Sequence, residues 1–138
     1  MNDIVDIGLV VTQARRTAAV SHRAAAVLHG VDQDWNLAEA SWATPLKCRY
    51  QGVVMHRMPD LEPSWIVERY GLPVTSPART LVDLGMVTSS YFVESALESM
   101  LIDGLVTAGD LQAVLDAHSC RGRRGVGVLR TAVRLVLG

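Results

Sequence analysis

A helix in the middle of the chain is predicted by apolar residues that recur at helical spacing. The predicted apolar face consists of Ala78, Leu81, Val82, Gly85 and Met86. These positions follow an i, i+3, i+4, i+7, i+8 pattern, which places them on one side of a helix and predicts that this side is buried. Ser76 is a preferred N-cap residue, and Pro77 suits the first helical position, where no N–H is needed. The helix should therefore begin at Ser76, with Arg79 and Asp83 on its other side.

Five further helices follow from the same kind of evidence. They are predicted to begin at Asp3, at Ser21, at Ser89 or Ser90, at Thr107 and at about Val126. The first of them carries Ile4, Ile7, Val11, Ala14 and Ala18 at helical spacing. Gly30 and Gly104 fit the left-handed position at which helices commonly end. Thr107 and Asp110 have the spacing of a capping box.

Three short stretches, residues 39–44, 52–58 and 65–70, have the composition of strands. Each contains β-branched or aromatic residues and ends next to a proline or a glycine, which are uncommon inside sheets. Gly71 and Pro73 are predicted to bend the chain between the third strand and Ser76. The expected fold is therefore α+β, with a small, mostly antiparallel sheet of about three strands packed with five or six helices.

Three sequence segments carry a resemblance to a known family. They are VSHRAAAVLHG at 20–30, VVMHRM at 53–58 and GLPVTSPARTLVDL at 71–84. In this order they resemble the region that follows the winged helix-turn-helix in AbiEi-type antitoxins, which also precedes Vsr-like nuclease domains in actinobacterial proteins. The resemblance covers about residues 3–136, so we expect a single domain over 1–138, without the winged helix and without the nuclease domain. The resemblance singles out Ser76, Pro77, Arg79, Thr80 and Asp83 as a structural motif.

The resemblance implies a bacterial or phage DNA-binding protein that regulates transcription in a toxin–antitoxin system of phage defence. Its expected partners are DNA or a nucleotidyltransferase-like toxin, and an oligomer is compatible with it. The missing winged helix instead favours a protein-interaction module that binds a toxin, a winged-helix partner or itself. Both classes of function stay open at this point.

Basic and acidic residues are unevenly distributed, although the formal net charge is only −1. Residues 61–118 contain two basic and eight acidic residues, whereas residues 119–138 contain five arginines and no acidic residue. A net charge near zero argues against strong nucleic-acid binding, but a local basic segment permits it. A solvated last helix is the other interpretation of the same arginines.

The candidate nucleic-acid-binding residues are basic side chains from three parts of the chain. They are Arg15, Arg16, His22, Arg23, Arg121, Arg123, Arg124, Arg130 and Arg134. Of these, Arg123, Arg130 and Arg134 are predicted to align along one face of the last helix. His22 and Arg23 fall in the first turn of a helix, where backbone N–H groups and cationic side chains can hold a phosphate. The pattern of these two residues favours a simpler interpretation, a helix cap and a surface pair.

No group of residues in the sequence has the spacing of a catalytic or metal site. Metal-dependent nucleases need clustered carboxylates, commonly with an acid–x–Lys element. Lys47 is the only lysine, and Pro45 stands two residues before it. The cysteines and histidines lack the paired spacing of a zinc site, and the glycine-rich turn at 122–127 lacks the spacing of nucleotide-binding loops. We therefore expect no enzymatic activity, no cofactor and no metal.

The cellular compartment is predicted from what the sequence lacks. No apolar run reaches the roughly 18 residues that a membrane span needs. The first residues lack the positive charges of a signal peptide. Cys48 and Cys120 are expected as free thiols rather than as a disulfide. A cytoplasmic protein without a membrane partner is the resulting expectation.

Overall fold

A mixed five-stranded sheet forms one layer of the fold. The structure is a computed structural model that describes residues 18–43 and 52–138. The strands are β1 (Ala18–Val20), β2 (Glu39–Trp42), β3 (Val54–Arg57), β4 (Ile66–Arg69) and β5 (Leu72–Thr75). Their order in the sheet is β3-β2-β1-β5-β4. The pairs β1–β2 and β4–β5 are antiparallel, whereas β1–β5 and β2–β3 are parallel.

The α+β class is confirmed, whereas the expectation of about three mostly antiparallel strands is wrong. The sequence pattern misses β1 and β5, which are both central in the sheet. Ala18, which the helical spacing assigns to the end of the first helix, is instead the first residue of β1. It is part of a strand because β1 is hydrogen-bonded to β2 on one side and to β5 on the other. The rest of that predicted helix lies outside the described residues.

A hairpin joins β4 to β5 through a two-residue turn. The turn residues Tyr70 and Gly71 both have positive φ, 53° and 75°, as in the type I′ turns that suit the twist of a hairpin. Pro73, which predicts a bend, lies inside β5 and is paired with Glu68 of β4. Because proline cannot donate to a sheet ladder, its presence hides this strand from an analysis by composition.

Five α-helices are present in the described part of the chain, in agreement with the predicted five or six. They are α1 (His22–Leu28), α2 (Pro77–Val87), α3 (Ser90–Ile102), α4 (Ala108–His118) and α5 (Val126–Leu137), and a short 3₁₀ helix (Pro63–Trp65) precedes β4. Ser89 is the N-cap of α3, and Thr107 and Asp110 form the predicted capping box of α4. Gly30 and Gly104 follow α1 and α3 with positive φ, as expected.

Helix α2 is the central helix of the fold. Ser76 Oγ accepts a hydrogen bond from the Arg79 N–H at 3.3 Å, and Pro77 is the first helical residue, so the helix begins as predicted. Residues 78–84 are all buried. Arg79 and Asp83, predicted on the side opposite the apolar face, are therefore enclosed as well. The reason is that α1, α3, α4 and α5 all pack against α2.

The buried apolar side chains form two clusters. The larger cluster joins the four helices α2 to α5 and includes Leu81, Leu97, Leu111 and Leu129. The smaller cluster lies between α1 and the sheet and includes Val20, Ala24, Ala25, Ala40 and Val74. Because most of its members are small, α1 lies close against the sheet.

A close backbone contact joins α2 to the start of α5. A Cβ atom at Gly85 would lie 2.6 Å from Gly125 O, and one at Gly125 would lie 2.1 Å from Val82 O. Gly125 also has a φ of +90°, which other residues rarely adopt. Space requires glycine at both positions, and at Gly125 the backbone conformation requires it too.

Replacing Leu81 by alanine is expected to cost about 2–5 kcal/mol of unfolding free energy, because the deleted atoms leave a cavity that only partly closes. Leu81 is 0% exposed. The matched control is Ile102→Ala at the exposed end of α3, where Ile102 is 84% exposed. We expect a change within about 0.5 kcal/mol for that control. Urea unfolding measures both, and equal losses would contradict the central position of α2.

Replacing Gly125 by alanine is expected to destabilise the protein by at least about 2 kcal/mol, because backbone strain and overpacking add together. Gly127 provides the control, since it lies two residues further on in α5 and a Cβ there meets nothing within 4 Å. Alanine at Gly127 should leave stability unchanged or raise it by up to about 1 kcal/mol through helix propensity. If the thermal melts of Gly125→Ala and Gly127→Ala coincide, the contact between α2 and α5 does not require glycine at position 125.

Candidate functional site

Three side chains of types that bind metal ions or exchange protons lie close together at the start of α1, beside β2 and β3. These residues, His22, Glu39 and His56, are called the histidine–glutamate cluster below. The chain passes from β1 into α1 across Ser21, which places His22 beside β2. Glu39 lies on β2, and His56 of β3 is paired in register with Ser41 of β2. Since side chains two residues apart in a strand share a face, Glu39 and Ser41 lie on the same side of the sheet.

Glu39 is a buried carboxylate that is held by three hydrogen-bond donors of Arg23 and one of His56. Its Oε1 accepts from the Arg23 N–H at 3.1 Å and from Arg23 Nε at 2.7 Å. Its Oε2 accepts from Arg23 Nη2 at 3.2 Å and from His56 Nε2 at 2.8 Å. Burial alone would raise the pKa of Glu39, but the hydrogen bonds from His56 and Arg23 outweigh it and lower the pKa to about 2. Glu39 is therefore ionised at neutral pH.

His22 is buried and stacked on His56, with ring centroids 3.8 Å apart. Its Nδ1 lies 2.7 Å from Ser21 Oγ, which accepts from Ser41 Oγ at 2.6 Å. Its Nε2 has no hydrogen-bond partner within the described residues. Burial lowers the pKa of His22 to about 4, against the opposing charge of Asp83. The imidazole is thus neutral at pH 7, and its Nε2 makes no hydrogen bond to the part of the chain that the structure describes.

A second polar group, called the arginine–aspartate ring below, consists of Arg79, Asp83, Asp60 and Arg123. Arg79 Nε donates to both oxygens of Asp83 at 3.1 Å, and Arg79 Nη2 donates to Asp60 Oδ1 at 2.7 Å. Arg123 Nε donates to Asp60 Oδ2 at 2.6 Å, and Arg123 Nη2 donates to Asp83 Oδ1 at 3.0 Å. Opposite charges alternate around the ring, so each charge has two partners of the other sign.

The pKa values of Asp60 in the ring and of His118 beside it are both lowered. Burial tends to raise the pKa of Asp60, but the charges of Arg79 and Arg123 outweigh it and lower the pKa. His118 Nε2 accepts from Arg79 Nη1 at 3.3 Å, which leaves Nδ1 to donate to Val114 O at 2.8 Å. Burial lowers the pKa of His118, in agreement with this neutral form. The ring joins α2 to the segments before β4 and before α5, and the contact of Arg79 with His118 links it to α4.

The remaining residues of the predicted structural motif attach β5 to α2. Thr80 Oγ1 donates to Thr75 O at 3.1 Å and lies 2.7 Å from Thr75 Oγ1. Ser76 and Pro77 start the helix, as described above. The motif Ser76, Pro77, Arg79, Thr80 and Asp83 thus has contacts that are structural throughout.

Three predicted nucleic-acid-binding residues, His22, Arg23 and Arg123, are buried or bonded to carboxylates of the fold, which corrects the expectation for them. His22 is buried within the histidine–glutamate cluster, and Arg23 is bonded to Glu39, so a phosphate at this helix start would have to displace that carboxylate. The side chain of Arg123 is 8% exposed and lies in the arginine–aspartate ring. Arg123 also precedes α5, so it does not align with the arginines of that helix. Arg15 and Arg16 lie outside the described residues.

Four predicted arginines remain at the surface, and they are called the C-terminal arginines below. They are Arg121, Arg124, Arg130 and Arg134. Within the described residues, no carboxylate forms an ion pair with any of them. Arg130 Nη2 donates to Ser119 Oγ at 2.6 Å, which brings α5 beside the segment that carries Arg121 and Arg124. Cys120 in the same segment is an exposed free thiol, and Cys48 lies outside the described residues.

Comparisons with known proteins do not assign these residues to a family. No protein-family model, curated protein or solved structure is significantly similar to the chain. No helix among the described residues has the length and apolar character needed to cross a membrane. The case for function therefore rests on the contacts described above.

The sequence analysis missed Glu39, Asp60 and the role of His56. Glu39 could have been recognised from the sequence as a residue of interest. It lies between Ala38 and Ala40 in a buried strand, and a buried charge requires a partner. The sequence does not show which residues contact Glu39, because His22 and His56 each lie 17 residues away from it along the chain.

Acid is expected to destabilise the protein through its buried histidines, because burial lowers the pKa of His22, His29 and His118, and the pKa of His22 falls to about 4. Because the folded pKa of His22 lies below the ordinary value of 6.5, the unfolded chain binds the proton first, and stability falls as the pH drops from 6.5 towards 4. Glu39, with a folded pKa of about 2 against 4.5, loses its contribution below pH 4.5. Urea unfolding at a series of pH values measures this dependence.

The variant His22→Asn serves as the control for this assignment. Asparagine tolerates the positive φ of 55° found at position 22 and does not titrate. We expect His22→Asn to be less stable at pH 7 but to show a smaller loss between pH 6.5 and 4. A pH dependence identical to that of the wild type would contradict the role of His22.

Proposed function

We propose that the chain is a non-enzymatic nucleic-acid-binding regulator of the antitoxin type, which contacts DNA phosphates through the C-terminal arginines. The observation that carries the proposal is that these four guanidinium groups have no carboxylate partner among the described residues, whereas Arg23, Arg79 and Arg123 have one or two. Arginine donates bidentate, charge-assisted hydrogen bonds to phosphate. A guanidinium without a carboxylate partner keeps most of these donors available, and within the described part of the chain Arg130 uses only Nη2, in its hydrogen bond to Ser119 Oγ.

The arrangement of charge supports contact at this end of the chain. No acidic residue follows Asp116, so nothing later in the sequence neutralises the C-terminal arginines. Arg130 and Arg134 are four residues apart on α5 and thus lie on one face of the helix. Contacts of this kind position a protein on DNA and carry little sequence information. The proposed binding is accordingly weakly sequence-specific and sensitive to salt.

The non-enzymatic part of the proposal is supported by the use of the buried charges. Each buried carboxylate of the two polar groups, Glu39 and Asp83, accepts hydrogen bonds from arginine side chains. These hydrogen bonds give both carboxylates a role in holding the fold together. The resemblance to AbiEi-type antitoxins favours the same class of function, acting in the cytoplasm with DNA or a toxin as partner.

A second candidate function, a protein-interaction module, is favoured by exposed apolar side chains on two helices that pack together. Tyr91 and Ile102 of α3 are 70% and 84% exposed, and Leu135 of α5 is 66% exposed. Large exposed apolar side chains are common at protein interfaces when they form a contiguous patch. The partner in this case is a toxin, a winged-helix protein or a second copy of the chain.

A DNA titration at several salt concentrations tests the first proposal. The test variant replaces Arg121, Arg124, Arg130 and Arg134 by glutamine and keeps Arg123, which the arginine–aspartate ring needs. For each phosphate that the variant no longer neutralises, we expect the slope of log affinity against log salt to fall by about 0.9. The control variant is Arg57→Gln, since Arg57 is exposed and lies on β3 and not in the C-terminal segment.

Equal salt slopes for the wild type and the quadruple variant would remove the C-terminal arginines as the contact. If the wild type fails to bind duplex DNA even at low salt, the second candidate becomes the better one. In that case Ile102→Asp combined with Leu135→Asp should abolish self-association or toxin capture, while Arg57→Gln leaves it intact.

A further inference from the structure

The histidine–glutamate cluster contains three different ligand residues at close range. His22, Glu39 and His56 each offer one ligand atom, and these atoms lie within 4.8 Å of one another. Two imidazoles and one carboxylate are a common set of protein ligands for zinc, which places ligand atoms about 2.0–2.2 Å from the ion and keeps a fourth position for water. The three atoms are near enough for one ion to bind them after a local movement of one ring.

We propose that His22, Glu39 and His56 form a binding site for a divalent transition-metal ion of the zinc type. The site connects three segments of the fold, namely the start of α1, β2 and β3. It is separate from the C-terminal arginines, so the proposal does not depend on nucleic-acid binding.

The chemical state of the residues suits a metal. Metal ions bind atoms with an available lone pair, such as an imidazole nitrogen or a carboxylate oxygen. His22 is 0% exposed, yet its Nε2 has no hydrogen-bond partner within the described residues. Buried polar atoms normally have a partner. An ion bound at His22 Nε2 would supply the missing partner.

Arg23 has the position of a supporting residue for the carboxylate ligand. Its strongest contact is the 2.7 Å hydrogen bond from Nε to Glu39 Oε1, while Glu39 Oε2 points to His56. Ligating carboxylates are usually oriented by hydrogen bonds of this kind. Oε1 of Glu39 is therefore held by Arg23 alone, whereas Oε2 accepts from His56 Nε2 at 2.8 Å and, over a longer distance of 3.2 Å, from Arg23 Nη2.

Binding requires one local movement, the rotation of His56. The planes of His22 and His56 differ by only 24°, so the in-plane lone pairs of the stacked rings do not meet at one point. His56 is the partly exposed member, with 18% of its side chain accessible, and lies on the edge strand β3. Turning its ring out of the stack exchanges the hydrogen bond to Glu39 for coordination of the ion by both residues.

Zinc titration by calorimetry tests the site, using the full chain with Cys48→Ser and Cys120→Ser so that thiols cannot bind the ion. We expect one zinc ion per chain and a melting temperature that rises with zinc concentration. His56→Gln removes a ligand but retains an amide that can donate to Glu39, and it should bind zinc at least about tenfold more weakly. Arg57→Gln, next to His56 in β3, leaves the ligands intact and should match the parent.

Cobalt substitution provides a readout of the ligands themselves. The parent should show the visible absorption of four-coordinate cobalt, and His56→Gln should lose it. No uptake of zinc by the parent, or equal affinity of the parent and His56→Gln, would overturn the proposal. If His56→Gln does not fold, the site is tested instead by measuring how fast diethylpyrocarbonate modifies His56 in the parent, with and without zinc. Zinc should protect His56 from the reagent, and unchanged modification would overturn the site.

Discussion

The fold depends on the pairing of buried charges in the arginine–aspartate ring. Removing water from a single guanidinium or carboxylate is costly, and this cost is recovered only when opposite charges and hydrogen bonds surround it. Arg79 and Asp83 are both 0% exposed in the central helix α2, and Asp60 and Arg123 complete the ring from two separate segments. Losing one member of such a group typically costs about 3–5 kcal/mol, because the remaining charges are left unbalanced. The ring therefore determines how these segments assemble on α2.

The same constraint separates two groups among the arginines that the structure describes. Arg23, Arg79 and Arg123 are held by carboxylates and serve the architecture, whereas the C-terminal arginines have no such partner within the described residues. Charge in the interior thereby limits which residues are available to a phosphate or a protein surface. A basic residue in the sequence is a candidate for function only if the fold does not already use its charge.

Local features of the structure were predictable because they depend on residues three or four positions apart. The cap at Ser76 and the capping box of Thr107 and Asp110 formed as expected, and so did the turns that end at Gly30 and Gly104. The central strands were not predictable, because β1 is only three residues long and β5 contains Pro73. Their place in the sheet comes from neighbours that are distant in the sequence, such as Val74 beside Val20.

The amino-acid order was enough to establish the α+β class, the starts of the helices that follow Ser76 and Thr107, and the basic character of the last segment. Which polar residues contact each other is decided by the tertiary structure. His56 lies 17 residues from Glu39, and Arg123 lies 63 residues from Asp60, yet both pairs are within hydrogen-bonding distance. Helical periodicity describes one element at a time and assigns charged residues to its polar side. Because several elements enclose α2, its polar side is buried too. The charged residues on that side form ion pairs with Asp60 and Arg123, which are distant in the sequence.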